Sequence, residues 1–217
     1  MTRCALDRRV FFVEEPIYEG SSPRLALQRF GGITVVVPHV PPGTPESGVL
    51  RALIDELIAN ERIERYVLWY YTPMALAFTD HLTPDAIVYD CMDELSAFAH
   101  APAELKILEA ELLRRSQVMF TGGQSLYEAK RHAHSNVHPF PSSVDVEHFG
   151  RARRITSDPP DQAGIAGPRL GFFGVIDERM DIGLLAGVAD ARPDWQLVLL
   201  GPDVKIDSAK LPRRGNI

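Results

Sequence analysis

The sequence predicts an α/β fold: a mostly parallel sheet with flanking helices. Three features predict it. Short, continuous apolar runs recur along the 217 residues, as strands buried on both faces do. Segments with apolar residues at helical spacing lie between these runs, and Gly, Pro or acidic clusters close them. Strict alternation of the two types calls for parallel strands joined by helical crossovers.

In chain order, RVFFV (Arg9 to Val13) reads as a buried strand closed by Glu14-Glu15-Pro16. ITVVV (Ile33 to Val37) is a second strand, stopped by Pro38 and followed by a turn-rich stretch. Thr44-Pro45-Glu46 opens a helix with Leu50, Leu53, Ile54, Leu57 and Ile58 on one face. YVLWYY (Tyr66 to Tyr71) is the next strand, with Pro73 heading a short helix. Ala86 to Tyr89 continues the series and runs into Asp90-Cys91-Met92-Asp93-Glu94. Pro102 opens a helix carrying Leu105, Leu108 and Leu112, with Glu111 and Arg115 as a supporting i,i+4 pair. Val118 to Phe120 ends at Thr121-Gly122-Gly123, and Ser125 to Glu128 has the form of a capping box for the helix that follows. Val137 to Phe140 closes this first series, which makes residues 1–141 one domain.

Residues 142–168 are polar and rich in Pro, Gly and Arg, and read as an interdomain linker. Residues 169–217 then hold one βαβ unit. Leu170 to Phe173 is a strand ending at Gly174, Asp181 is the N-cap of a helix bearing Ile182, Leu185, Val188 and Ala189, and Leu197 to Leu200 is the second strand. Two strands and one helix cannot cover both sheet faces, so this unit reads as the start of a truncated domain.

Composition removes several classes. A net charge of −6 with dispersed basic residues argues against nucleic acid as a partner. The two cysteines, Cys4 and Cys91, are far apart and form no C-x-x-C, which fits a reducing, cytoplasmic setting. No apolar run approaches the roughly 18 residues of a membrane span, while peripheral contact with a membrane surface stays open.

Ligands of open parallel sheets sit beyond the strand C-termini, beside helix N-termini. Asp90, Asp93 and Glu94 fall at such a place, where a carboxylate can accept a hydroxyl proton or hold a sugar, or can simply cap a helix. Thr121-Gly122-Gly123 with Ser125 can cradle an anion or provide close packing. Glu14 and Glu15 are either a polar cap or a ligand-facing edge. Gly174 admits close approach to the backbone and Arg179 offers a forked donor to phosphate, or the two make a tight turn with a solvated arginine. His132, His134 and His138 have an H-x-H-x3-H spacing, but helical ligands sit at i and i+4 and His132 and His134 point to different faces, so no metal is expected.

Taken together, FVEEP (Phe12 to Pro16), YDCMDE (Tyr89 to Glu94), FTGGQSLYEAKR (Phe120 to Arg131), SSVDVEHF (Ser142 to Phe149) and GFFGVIDERMD (Gly171 to Asp181) resemble the bacterial glycosyltransferases of group 1, retaining enzymes of the GT-B fold. The resemblance implies two Rossmann-like domains. The first would be acceptor-side, with its first strand and helix missing here, and the second would hold a nucleotide-diphosphate sugar. It also implies transfer of a hexose to a hydroxyl acceptor with retention, no metal or cofactor beyond the sugar nucleotide, and a glycan or lipid-linked acceptor at the inner face of a membrane. It carries Gly174 over to the diphosphate, with Arg179 as the only nearby base; the residues themselves offer Asp93 and Asp90 as the candidate catalytic residues, for polar contacts to the acceptor, and Glu14, Glu15, Thr121 and Gly122 as further acceptor-side candidates. Relatives carry Asn-Gly where this chain has Ser142-Ser143, and Arg and Lys roughly where it has Val175 and Met180. The chain also stops before the relatives' acidic motif for the donor's ribose and sugar, so weak or absent turnover is expected. The competing reading is a non-catalytic α/β module for an anion or a protein partner.

Overall fold

A computed structural model describes residues 2–98, 100–154, 157–204 and 206–217. It is a mixed α/β structure of parallel sheets with flanking helices, and the chain divides into two compact units, Met1–Ser143 and Val144–Ile217.

In the first unit the apolar runs become β1 (Val10–Val13), β4 (Ile33–Val40), β5 (Val67–Tyr70), β6 (Ala86–Cys91), β7 (Val118–Thr121) and β8 (Val137–Pro139). Two further strands, β2 (Ile17–Tyr18) and β3 (Arg24–Phe30), lie between β1 and β4. Hydrogen bonding sorts these strands into two sheets. In the first, β1 and β2 pair parallel to β4 along one edge while β3 runs antiparallel along the other. The second is wholly parallel, in the order β5-β6-β7-β8.

The antiparallel β3 lies outside the strands the apolar runs predict, although the sequence holds its signal. Phe30 pairs with Ile33 across Gly31-Gly32, a two-residue hairpin loop in which Gly31 adopts φ +59°. Pro38 does not stop β4, which continues to Val40. Val36 and Val40 accept on the β1/β2 edge from Glu14 N and Glu19 N. Strand alternation therefore turns Pro38 toward the break between β1 and β2, where a missing N–H costs no ladder bond.

The helix opened by Pro45 is α1 (Glu46–Asn60), which buries Leu50, Leu53, Ile54 and Leu57. A single 3-10 turn (Pro73–Ala75) leads into α2 (Leu76–Thr79), and α3 (Leu105–Arg115) and α4 (Gln124–Lys130) complete the unit. Register places Tyr70, Tyr89 and Met119 in one row. They form the core together with Ile87, Cys91, Leu76 of α2 and Leu112 of α3. Two local expectations fail. Glu111 pairs with Arg114 at 2.6 Å rather than with Arg115, whose guanidinium donates to Asp80 O. The capping box is not made, because α4 begins one residue before Ser125 and its cap residue is Gly123.

The second unit comprises α5 (Val146–Gly150), β9 (Arg169–Phe173), α6 (Ile182–Ala191) and β10 (Gln196–Leu200), with β9 and β10 parallel. Asp181 is the N-cap of α6, accepting from Leu184 N at 2.8 Å. Asp181→Ala is expected to cost about 1 kcal/mol, read as faster amide exchange in the first turn of α6. The strand reading of 170–173 holds, but β9 is not buried: Phe172 is 39 % and Phe173 82 % exposed. One helix shields only one side of a two-stranded sheet. Among the described residues no helix is long and apolar enough to cross a membrane.

Candidate functional site

The C-terminal ends of β6 and β7 meet at a cluster of small and acidic residues. Strand alternation turns Tyr89 and Cys91 into the core, and burial pushes the phenol well above its ordinary range and the thiol upward. Asp90 therefore points to the opposite face, where its Oδ2 accepts from Trp69 Nε1 at 3.0 Å.

Beyond β6 the chain turns sharply, with Cys91 Sγ donating to Asp93 O at 3.4 Å. Gly122 N donates to Cys91 O at 2.9 Å, and a Cβ on Gly122 would fall 2.6 Å from Met92 O. Gly122 is thus a close-approach glycine between the two loops. Thr121 is fully buried, its hydroxyl donating to Gly123 O.

The three acids of this loop go separate ways. Asp93 is exposed, Asp90 lies on the sheet's outer face, and Glu94 is tied inward. Lys130, at the end of α4 and 8 % exposed, reaches Glu94 Oε2 at 2.8 Å and Glu109 Oε1 at 2.7 Å. Ser96 donates to the other Glu94 oxygen, and Tyr89 OH donates to Glu109. Burial opposes the Glu94 charge, but the hydrogen bonds from Lys130 and Ser96 and the charge of Lys130 outweigh it, so the carboxyl lies below its usual range. Burial likewise opposes the Lys130 charge and is outweighed by Glu109 and Glu94, which hold its pKa above the ordinary lysine value.

Sequence reasoning missed Lys130 and Trp69. A lysine four residues after Leu126, on the inward stripe of α4, was the available signal for the first. Trp69 is hidden within an apolar run.

Glu14 and Glu15 are exposed in the break between β1 and β2. The end of β1 is on the same side as the end of β5, since the Phe12 and Tyr71 rings are 6.4 Å apart. His134 bonds with Ser116 O and Asn136 N, and His138 with Asn136 Oδ1.

In the second unit Gly174 and Gly201 end β9 and β10 with φ of +147° and +151°, values that L side chains rarely adopt. The loop after Gly174 borders a largely apolar cavity of about 550 Å³, with Leu170, Phe172, Val175 and Leu184 in its wall and Asp177, Arg179 and Asp181 as its charged groups. Arg179 grips Asp177 through Nε, 3.0 Å from each carboxylate oxygen, and through Nη2 at 2.6 Å. An anion arriving at this arginine therefore competes with a carboxylate already in place.

No protein-family model matches the sequence. Over 168 residues the chain is 28 % identical to a protein of Bacillus subtilis (strain 168) described as "Putative teichuronic acid biosynthesis glycosyltransferase TuaH". The match takes in 71 % of this chain and spans 42 % of that protein's length. A glycosyltransferase-like function is what this likeness supports.

Proposed function

We propose that the chain belongs to a retaining glycosyltransferase of GT-B type that moves a hexose from a nucleotide-diphosphate sugar to a hydroxyl acceptor. The observation that carries this reading is the 168-residue likeness to the Bacillus protein, together with loops at the ends of parallel strands of the kind that hold ligands. The relative's described part in making teichuronic acid supports a glycan or lipid-linked acceptor.

In this reading residues 1–141 face the acceptor, 142–168 link, and 169–217 open the donor domain. Asp93, from the loop, and Asp90, from the sheet's outer face, make the acceptor contacts, with Glu14 and Glu15 as further candidates; Thr121 and Gly122, packed inside, shape the loop. Gly174 and Arg179 meet the diphosphate, whose leaving oxygen takes the acceptor's proton while nearby donors stabilise the departing charge. No metal or further cofactor enters. The work is done in the cytoplasm, at the inner face of the membrane.

Because the chain spans less than half of its relative's length, donor capture is best measured as binding rather than turnover. Calorimetry with UDP, GDP, ADP and dTDP is expected to give heat with one of them. Arg179→Ala is expected to weaken that binding about tenfold, as loss of a charged hydrogen-bonding fork does. Silence with all four nucleotides would leave the non-catalytic binding module as the better reading.

A further inference from the structure

We infer that the outer face of the β5–β8 sheet is a docking platform for neutral pyranosides. The inference rests on the glycosyltransferase reading for its use in catalysis and on this face alone for binding.

The core occupies one side of this sheet, and the other side carries an aromatic row with a single carboxylate set in it. Register puts Asp90 beside Phe120 and Phe120 beside His138, while Trp69 pairs with Val88 one step below. Trp69 and Phe120 stack with centroids 5.8 Å apart and planes 23° from parallel. Phe140 extends the row, 5.5 Å from Phe120. Val88 lies between their strands and is only 8 % exposed. Trp69 is 39 % and Phe140 69 % exposed.

The carboxylate decides what such a face can take. Covering it with a lipid surface or an apolar protein face would strip water from Asp90, to which, among the described residues, the indole N–H donates, and burying a charge so poorly compensated is costly. A pyranose resolves the conflict. Its C–H face packs on flat aromatic rings, as amphipathic rings do, while its hydroxyls donate to the carboxylate oxygens and replace the lost water. The indole N–H fixes the carboxylate in the plane from which it accepts. A uronic acid brings a second negative charge to Asp90, so neutral sugars are preferred.

The test uses fluorescence of the full chain. Only two tryptophans are present, so Trp195→Phe leaves Trp69 as the sole emitter. Titration with cellobiose is expected to shift and saturate the Trp69 emission in the millimolar range, with glucuronic acid at least fivefold weaker. Asp90→Asn is expected to weaken cellobiose about tenfold and to erase the discrimination against the uronate, a charge readout that a merely structural residue would not give. Phe140→Ala, at the exposed end of the row, is expected to weaken both sugars alike. Absence of any saturable shift up to 100 mM cellobiose, or equal affinity for the two sugars in the unaltered face, would overturn the platform. Nucleotide calorimetry reads the second unit independently, so platform binding without nucleotide heat defeats the transferase reading alone, and the reverse defeats the platform alone.

Discussion

Gly201→Ala is expected to destabilise the second unit by at least about 4 kcal/mol, at the severe end of single substitutions. A Cβ on this residue would stand 1.7 Å from Gly174 O, and the backbone there holds φ +151°. Neither conflict can be relieved by a side-chain rotation, because the obstructing atom is backbone. The contact also sits where β9 and β10 end together, with Gly174 N donating to Leu200 O and Ile176 N to Pro202 O. Hydrogen exchange should show the amides of both strands losing protection together, while those of β5 to β8 keep theirs. Preserved protection in β9 would mean that the two strand ends do not approach as described.

Lys130→Met is the second large effect, about 3 kcal/mol by urea unfolding. Methionine nearly matches the lysine stem in volume, so the loss is electrostatic: Glu109 and Glu94 are left without their shared cation. Glu94 is 39 % exposed and can turn to water, whereas Glu109 is 16 % exposed and carries more of the cost.

The pH dependence follows from the shift directions. The Glu94 pKa is depressed on folding, so its contribution is present above the unfolded value of about 4.3 and is lost as pH falls through the folded value. The Lys130 pKa is raised, so its contribution is complete below the unfolded value of about 10.4 and is lost as pH rises through the folded value. The gap between the original chain and Lys130→Met should therefore be widest between these limits and shrink on acidification. A gap independent of pH down to about 3 would show that packing, not charge, is what Lys130 supplies.

This cluster also bears on the loop that carries Asp93. Glu94 follows Asp93 directly, and Lys130 pins it to α4. Breaking the pair is expected to loosen the turn after β6 as well as to lower stability, visible as broadened resonances for residues 92–96.

How far the sequence reached differs from place to place, and the difference has a physical origin. The alternation of strands and helices was legible, because periodicity and punctuation are local: β6, α1, α6 and the Asp181 cap all stand where their own residues put them. The β3 hairpin is also written locally, in Gly31-Gly32. Pro38 illustrates the limit, since its effect depends on what lies opposite, and the break between β1 and β2 is a fact about another strand.

At the candidate site the same division holds. The sequence by itself determined that Asp90, Asp93 and Glu94 gather at the end of one strand and that Gly174 ends another. Only the tertiary structure decided what each side chain meets: Trp69 for Asp90, Lys130 for Glu94, backbone of the neighbouring loop for Gly122, and Asp177 for Arg179. The first three partners come from other elements, Lys130 from α4, beyond α3 and β7 in the chain. Even Asp177, only two residues from Arg179, depends on how the loop turns. A residue's type and neighbours fix its propensity and its face. Which charge ends up beside it is set by how the elements pack, and packing is a property of the whole chain.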